Sequence, residues 1–237
     1  MTLNFAHRGF SARYPENTLL AFRQAIAAGC DGIELDVHLS RDGTPVIIHD
    51  EDTLRTTGVP GQVGESLYSD LRRLDAGQGE PVPSLEEYLD LVASLPVITN
   101  IELKNDRVHY AGLEEKVLDM TRRRKLERRI IFSSFNHDSV IKCKALAPDS
   151  PCGFLIEQAV EDPAAYLRRH GVEYFHPDYR LLSGPFGEAA FRDRLALHVW
   201  TVNDRDGFDD LLYRQVRGII TNDPPLLNEI RGRQGLT

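Results

Sequence analysis

Residues 32–50, Gly-Ile-Glu-Leu-Asp-Val-His-Leu-Ser-Arg-Asp-Gly-Thr-Pro-Val-Ile-Ile-His-Asp, join an alternating strand to a turn, and together they decide how many strands share one parallel sheet. Along the extended chain Ile33, Leu35 and Val37 point one way and Glu34 and Asp36 the other. Asp42-Gly43 is a two-residue hairpin signal, and folding about it pairs positions whose numbers add to 85, which sets His49 opposite Asp36. Working outward, nine short apolar runs read as strands, at residues 3–7, 32–37, 46–49, 97–103, 129–134, 152–156, 172–176, 196–202 and 217–221. The hairpin takes residues 46–49 out of the parallel set, leaving eight strands that alternate with helices, as in an α/β barrel.

The helix ends are readable too. Pro15 is expected to open a helix that buries Leu19, Leu20, Phe22 and Ile26 and stops at Gly29. Ser84-Leu-Glu-Glu87 is a capping box. Residues 51–83, rich in Gly and Pro, read as a small insertion over one end of the barrel within a single domain of residues 1–237.

With 28 Lys and Arg against 36 Asp and Glu, the net charge of −8 disfavours non-specific nucleic-acid binding, and no apolar run is long enough to span a membrane. The N-terminus lacks a basic segment leading into an apolar stretch. Cys30, Cys143 and Cys152 are odd in number and lack CxxC spacing, so the expectation is a cytoplasmic protein without a disulfide framework.

The chemistry gathers at strand ends. Glu34 and Asp36 share a face, Glu102 and Lys104 repeat the arrangement, and His7-Arg8 and His49-Asp50 close two further strands. In a parallel barrel these ends converge on the C-terminal rim. Three carboxylates there repel one another unless a cation joins them, and all-oxygen ligands suit one hard divalent ion: Mg²⁺, Ca²⁺ or Mn²⁺. Three negative charges, a divalent ion, Arg8 and Lys104 leave the cluster at +1, which suits a phosphodiester; two histidines can divide proton transfer between attack and departure.

The ordered set His7-Arg8-Gly9, Pro15-Glu-Asn-Thr18, Ile33-Glu-Leu-Asp-Val37, His49-Asp50, Arg55-Thr-Thr57, Ile101-Glu-Leu-Lys104, Ser133-Ser-Phe135 and Trp200-Thr-Val-Asn203 resembles the glycerophosphodiester phosphodiesterases over essentially the full length. The resemblance implies a TIM (β/α)8 barrel with a β-hairpin and small insertion after the second strand, hydrolysing glycerophosphodiesters such as glycerophosphocholine or glycerophosphoethanolamine to sn-glycerol 3-phosphate and an alcohol. It implies His7 and His49 as the acid/base pair, Glu34, Asp36 and Glu102 as metal ligands, Arg8 and Lys104 as phosphate holders, and Trp200 and Phe135 as substrate contacts. In the family scheme the glycerol 2-hydroxyl attacks phosphorus and water opens the resulting cyclic phosphate. The chain departs from the pattern in two places: a short stretch between Gly77 and Pro83, and Thr221-Asn222-Asp223 where Thr-Asp is usual, so Asp223 is given no role. Competing functions are a lysophospholipase D-like activity and a non-catalytic barrel that binds a phosphorylated ligand.

Plainer readings apply elsewhere. His38, His109, His137, His170, His176 and His198 read as surface or satisfied core residues, and Glu16 and Asn17 as loop organisers. Lys104 could simply neutralise Glu102, and Trp200 could be core. The run Arg122–Lys125, amid acidic residues, reads as a solvated helix end.

Overall fold

In the computed structural model, which describes residues 1–233 and 235, the alternating segment forms the strand β2 (Gly32–Leu39), buried along its whole length. It is preceded by β1 (Leu3–His7) and followed by β3 (Pro45–Ile47), β4 (Ile98–Leu103), β5 (Ile130–Ser134), β6 (Cys152–Ile156), β7 (Tyr174–Pro177), β8 (Ala196–Val199) and β9 (Gly218–Thr221). Eight of these pair in parallel around a ring, β1-β2-β4-β5-β6-β7-β8-β9, closed by the β9–β1 pairing. The ninth, β3, runs antiparallel on β2 outside the ring. This is a TIM barrel.

Eight helices follow the ring strands in turn: α1 (Leu19–Ala27), then, beyond the short α2 (Leu54–Thr57) and α3 (Tyr68–Leu71), α4 (Leu85–Val92), α5 (Leu113–Arg123), α6 (His137–Leu146), α7 (Pro163–His170), α8 (Pro185–Arg192), α9 (Arg205–Tyr213) and α10 (Pro224–Arg233). The main core lies between ring and helices, where Ile33, Leu35 and Val37 meet Phe22, Tyr88 and Leu89. A second layer, Phe5, Ile131 and Ile220, fills the lumen. Phe5 fits there because β2 begins with glycine: a Cβ on Gly32 would stand 2.4 Å from the Phe5 ring. The polar residues of β2 thus face inward, above this plug.

Two local expectations are corrected. First, the hairpin pairs Val37 with Ile47 and Leu39 with Pro45, positions that add to 84 rather than 85. Gly43 sits at φ +75 and donates to the Ser40 carbonyl, while Ser40 N–H donates to Thr44, so an extra left-handed residue follows the turn and shifts the register by one. Asp36 therefore stands beside Ile48, whose N–H reaches its carbonyl at 3.2 Å, and His49 is carried to the rim by the bend after β3. Second, the helix expected at Pro15 begins at Leu19. Thr18 is its cap, accepting from Ala21 N–H at 3.2 Å, and Asn17, at φ +57, cannot be part of a right-handed helix. The capping box at Ser84 and Glu87 forms as read.

Strand β3 alternates in its turn: Ile47 joins the main core, while Val46 and Ile48 face Val63, Leu71 and Val82. Residues 51–83 thereby rest on their own apolar cluster against the outside of the hairpin. Arg123 and Arg124 of the basic run are consumed by ion pairs to Asp119 and to Glu86 and Asp90. Among the described residues no helix is long and apolar enough to cross a membrane.

Candidate active site

The three predicted carboxylates converge. Asp36 on β2 is the register partner of Glu102 on β4, and Glu34 lies one pleat below on the same inward face. One oxygen from each falls within 4.8 Å of the others, and all three residues are buried. Burial, then the charges of Asp36 and Glu102, push Glu34 well above the usual carboxylate range. Burial also lifts Glu102 to about 7, against the pull of Lys104. Asp36 goes the other way: burial works against ionisation, but Arg8 and Lys104 outweigh it. Its Oδ1 is buried without a hydrogen-bond partner. Crowded anionic oxygens with an orphaned acceptor are a donor set that fits a hard divalent cation, and no other group of three such residues occurs among the described residues.

Arg8 occupies a left-handed backbone position, φ +57, where β1 turns toward α1. The next residue must be glycine, since at φ +82 a Cβ on Gly9 would lie 2.7 Å from the Ala21 backbone carbon. This turn lets Arg8 N–H donate to the Glu34 carbonyl at 2.9 Å and brings Arg8 Nε within 3.3 Å of Asp36. Asn17, read as a loop organiser, donates to Asp36 Oδ2 at 2.8 Å and so fixes a site carboxylate directly. Lys104 Nζ lies 2.8 Å from Glu102 and 3.8 Å from Asp36. Burial would lower its pKa, but those two charges raise it. The structural pairing weighed for Lys104 therefore exists, and the same Nζ also approaches His49 Nε2 at 3.4 Å.

The two histidines flank the carboxylates. His7, at the end of β1, donates from Nδ1 to Asn222 Oδ1 at 2.6 Å, and its Nε2 is 4.0 Å from Glu34. With Asn222 Oδ1 accepting at Nδ1, His7 Nε2 is left as the acceptor, while the Ser11 hydroxyl donates to the His7 carbonyl at 2.7 Å. Burial, with Arg8 adding to it, brings the imidazole down to about 4. His49 donates from Nδ1 to the carboxylate of Asp50 at 2.6 Å. The buried His38, bonded to Tyr110 and to the His49 carbonyl, holds this bend from below.

His7, Glu34, Glu102, His49, Phe135 and Trp200 line one cavity of about 100 Å³. Trp200 stands edge-on to Phe135 at 5.6 Å and donates from its indole nitrogen to the His176 carbonyl at 2.6 Å, which locks its ring at the cavity wall. A second hollow of about 300 Å³ shares His49, Phe135 and Glu157 with this cavity and adds Lys104 and Asp50 to its lining. Larger grooves of about 710 and 680 Å³ elsewhere are open surface between loops and helix ends, so chemistry and not volume singles out the rim. Sequence reading missed Asn222, 215 residues from its partner His7, and the cavity-lining Asn100 and Glu157. It also took His176 and His198 as satisfied or exposed. Both are buried in the lumen, and neither ring nitrogen of His198 has a partner.

Residues 7–226 match the glycerophosphoryl diester phosphodiesterase family. A glycerophosphodiester phosphodiesterase of Caldanaerobacter subterraneus subsp. tengcongensis is 37% identical over 97% of this chain and 98% of its own. Among solved structures, a putative glycerophosphoryl diester phosphodiesterase from Silicibacter pomeroyi superposes with a TM-score of 0.88 at 27% identity, covering 100% of this chain and 95% of that one. An Oleispira antarctica phosphodiesterase, solved with its product sn-glycerol 3-phosphate, gives 0.84 at 26% identity, with 98% and 97% covered. Barrel, rim and sequence agree: the chain belongs to the glycerophosphoryl diester phosphodiesterase family.

Proposed function

We propose that this chain hydrolyses glycerophosphodiesters to sn-glycerol 3-phosphate and an alcohol, with a divalent cation held by Glu34, Asp36 and Glu102. The observation that carries the reading is a cluster of three buried carboxylates, two of which, Glu34 and Glu102, line one small cavity with two differently partnered imidazoles. Mg²⁺, Ca²⁺ and Mn²⁺ all suit the oxygen donors. Such a cation, when bound, supplies Lewis-acid stabilisation of charge on the phosphoryl oxygens.

Arg8 and Lys104 supply the positive charge that faces the phosphate. His7 is the base: burial favours its neutral form, and Asn222 leaves Nε2 free to take the proton of the glycerol 2-hydroxyl as that oxygen bonds to phosphorus. His49 is the acid. Its Nδ1–H is bonded to the Asp50 carboxylate, which leaves Nε2 to carry the transferred proton, and it lines both the cavity and the neighbouring hollow. As the P–O bond breaks, the alcohol takes its proton from His49. The roles then reverse while water opens the cyclic phosphate. Trp200 and Phe135 offer apolar walls to the glycerol carbons.

We read residues 1–237 as one catalytic domain, supported by the packing of residues 51–83 on β3. Three free, buried cysteines support a cytoplasmic setting. The test is release of sn-glycerol 3-phosphate from glycerophosphoethanolamine, before and after chelation and on return of each ion. Turnover that vanishes with chelation and returns with a divalent ion is expected; undiminished turnover without metal would overturn the carboxylate assignment.

A further inference from the structure

Two motifs, residues 15–18 and 55–57, take no part in the reaction as derived, yet their charged members meet in space. Arg55, in the short helix α2, places Nη2 and Nη1 at 2.7 and 3.0 Å from the two oxygens of Glu16. Its Nε and Nη2 lie 2.6 and 3.1 Å from the two oxygens of Asp50. Glu16 is held independently, accepting from Arg8 Nη1 at 3.0 Å. The chain of contacts runs from Arg8, at the turn after β1, to Glu16, Arg55, Asp50 and His49.

Two carboxylates this close repel unless a cation sits between them, and the planar five-donor fork of arginine bonds each of them through two contacts in a fixed geometry. Arg55 is 48% exposed, and ion pairs that open to water contribute little to stability. Its position therefore makes more sense as geometry than as cohesion. His49 needs it. The residue lies beyond the last ladder pair of β3 and is half-buried; His38 holds its backbone, and its ring is bonded from Nδ1 to Asp50 at 2.6 Å, with Lys104 Nζ at 3.4 Å from Nε2. A donor displaced by ~1 Å can lose ~10²-fold in rate.

We propose that Arg55 is a positioning residue for the leaving-group step. Braced against Glu16, it holds the Asp50 carboxylate where His49 Nδ1–H bonds to it, and so aims His49 Nε2 at the departing oxygen. The proposal rests on the phosphodiesterase reading above.

The experiment compares glycerophosphoethanolamine, whose alcohol needs a proton to depart, with glycerophospho-p-nitrophenol, whose phenolate does not. Arg55→Ala should lower kcat on the ethanolamine ester by ~10–100-fold while changing kcat on the nitrophenyl ester by less than ~3-fold. KM for both should hold within ~3-fold, because Arg8 keeps its bond to Glu16. Arg55→Lys, which keeps the charge and loses the fork, should recover only part of kcat and guards against a misfolded alanine variant. A merely structural role would lower both esters alike. Equal losses on the two esters, or no loss on either, in both variants, would overturn the role of Arg55 while the wild type still turns over. A wild type silent on both esters would overturn the phosphodiesterase reading and this role with it.

Discussion

His7 and His49 face one cavity from different kinds of support. His7 ends a strand of the ring, its position set by the backbone ladder to β2 and its tautomer by the neutral amide of Asn222. His49 rides a bend outside the ring, and its ring is aimed by a carboxylate that a surface arginine braces. The difference is chemical as well as mechanical. An amide oxygen and a carboxylate each fix a tautomer by accepting from Nδ1–H, but only the carboxylate brings a full negative charge that a cation must brace. On the roles proposed above, the barrel holds the proton acceptor rigidly, and the bend that leads into the insertion carries a donor whose aim depends on ion pairs.

The largest expected effects test that division directly. His7→Ala should lower kcat by ~10²–10⁴-fold on both the ethanolamine and the nitrophenyl ester, since attack needs the base in either case. His49→Ala should match that loss on the ethanolamine ester and spare most of the nitrophenyl turnover. A steady-state comparison of both variants on both esters decides it, and matched losses for His49→Ala would erase the contrast.

A smaller effect belongs to Asn222. Replacing it with alanine removes the acceptor of His7 Nδ1–H, leaving ring and tautomer to be held by the strand alone. Expected is a ~10-fold fall in kcat on both esters, with the circular dichroism spectrum unchanged. A loss confined to the ethanolamine ester would mean that His7 serves departure and not attack.

What could be read beforehand follows the range of the forces involved. The alternation of Ile33 to Val37 is a property of five consecutive residues, and it placed Glu34 and Asp36 on the inward face correctly. The hairpin register depended on whether Thr44 belonged to the turn, a choice between backbone conformations that Asp42-Gly43 alone does not make. Asn222 was visible only as a departure from the family pattern. Its use appears when ring closure brings β9 beside β1, which pairs Ala6 with Thr221 and leaves Asn222 next to His7. The His176 and His198 rings, 4.8 Å apart in the lumen, were taken for ordinary histidines because nothing local distinguishes a lumen strand position from an outer one.

The smallest effect concerns the loop-borne half alone. Burial would raise the Asp50 carboxyl, but the bonds from Arg55 and His49 take it down to about 2 from an ordinary 3.8. A carboxyl depressed in the folded state contributes stability above its ordinary pKa and loses it as pH falls through the folded value. Asp50→Asn should therefore be less stable than wild type by no more than ~1 kcal/mol at about pH 6, because the pairs are partly open to water. The gap should close between about pH 4 and pH 2, as wild-type Asp50 takes up its proton. Urea unfolding of both chains across that range measures it. A gap several times larger at about pH 6 would mean that the Asp50–Arg55 brace holds the insertion onto the barrel, and the loop-borne histidine would then be as firmly built in as the one on the strand.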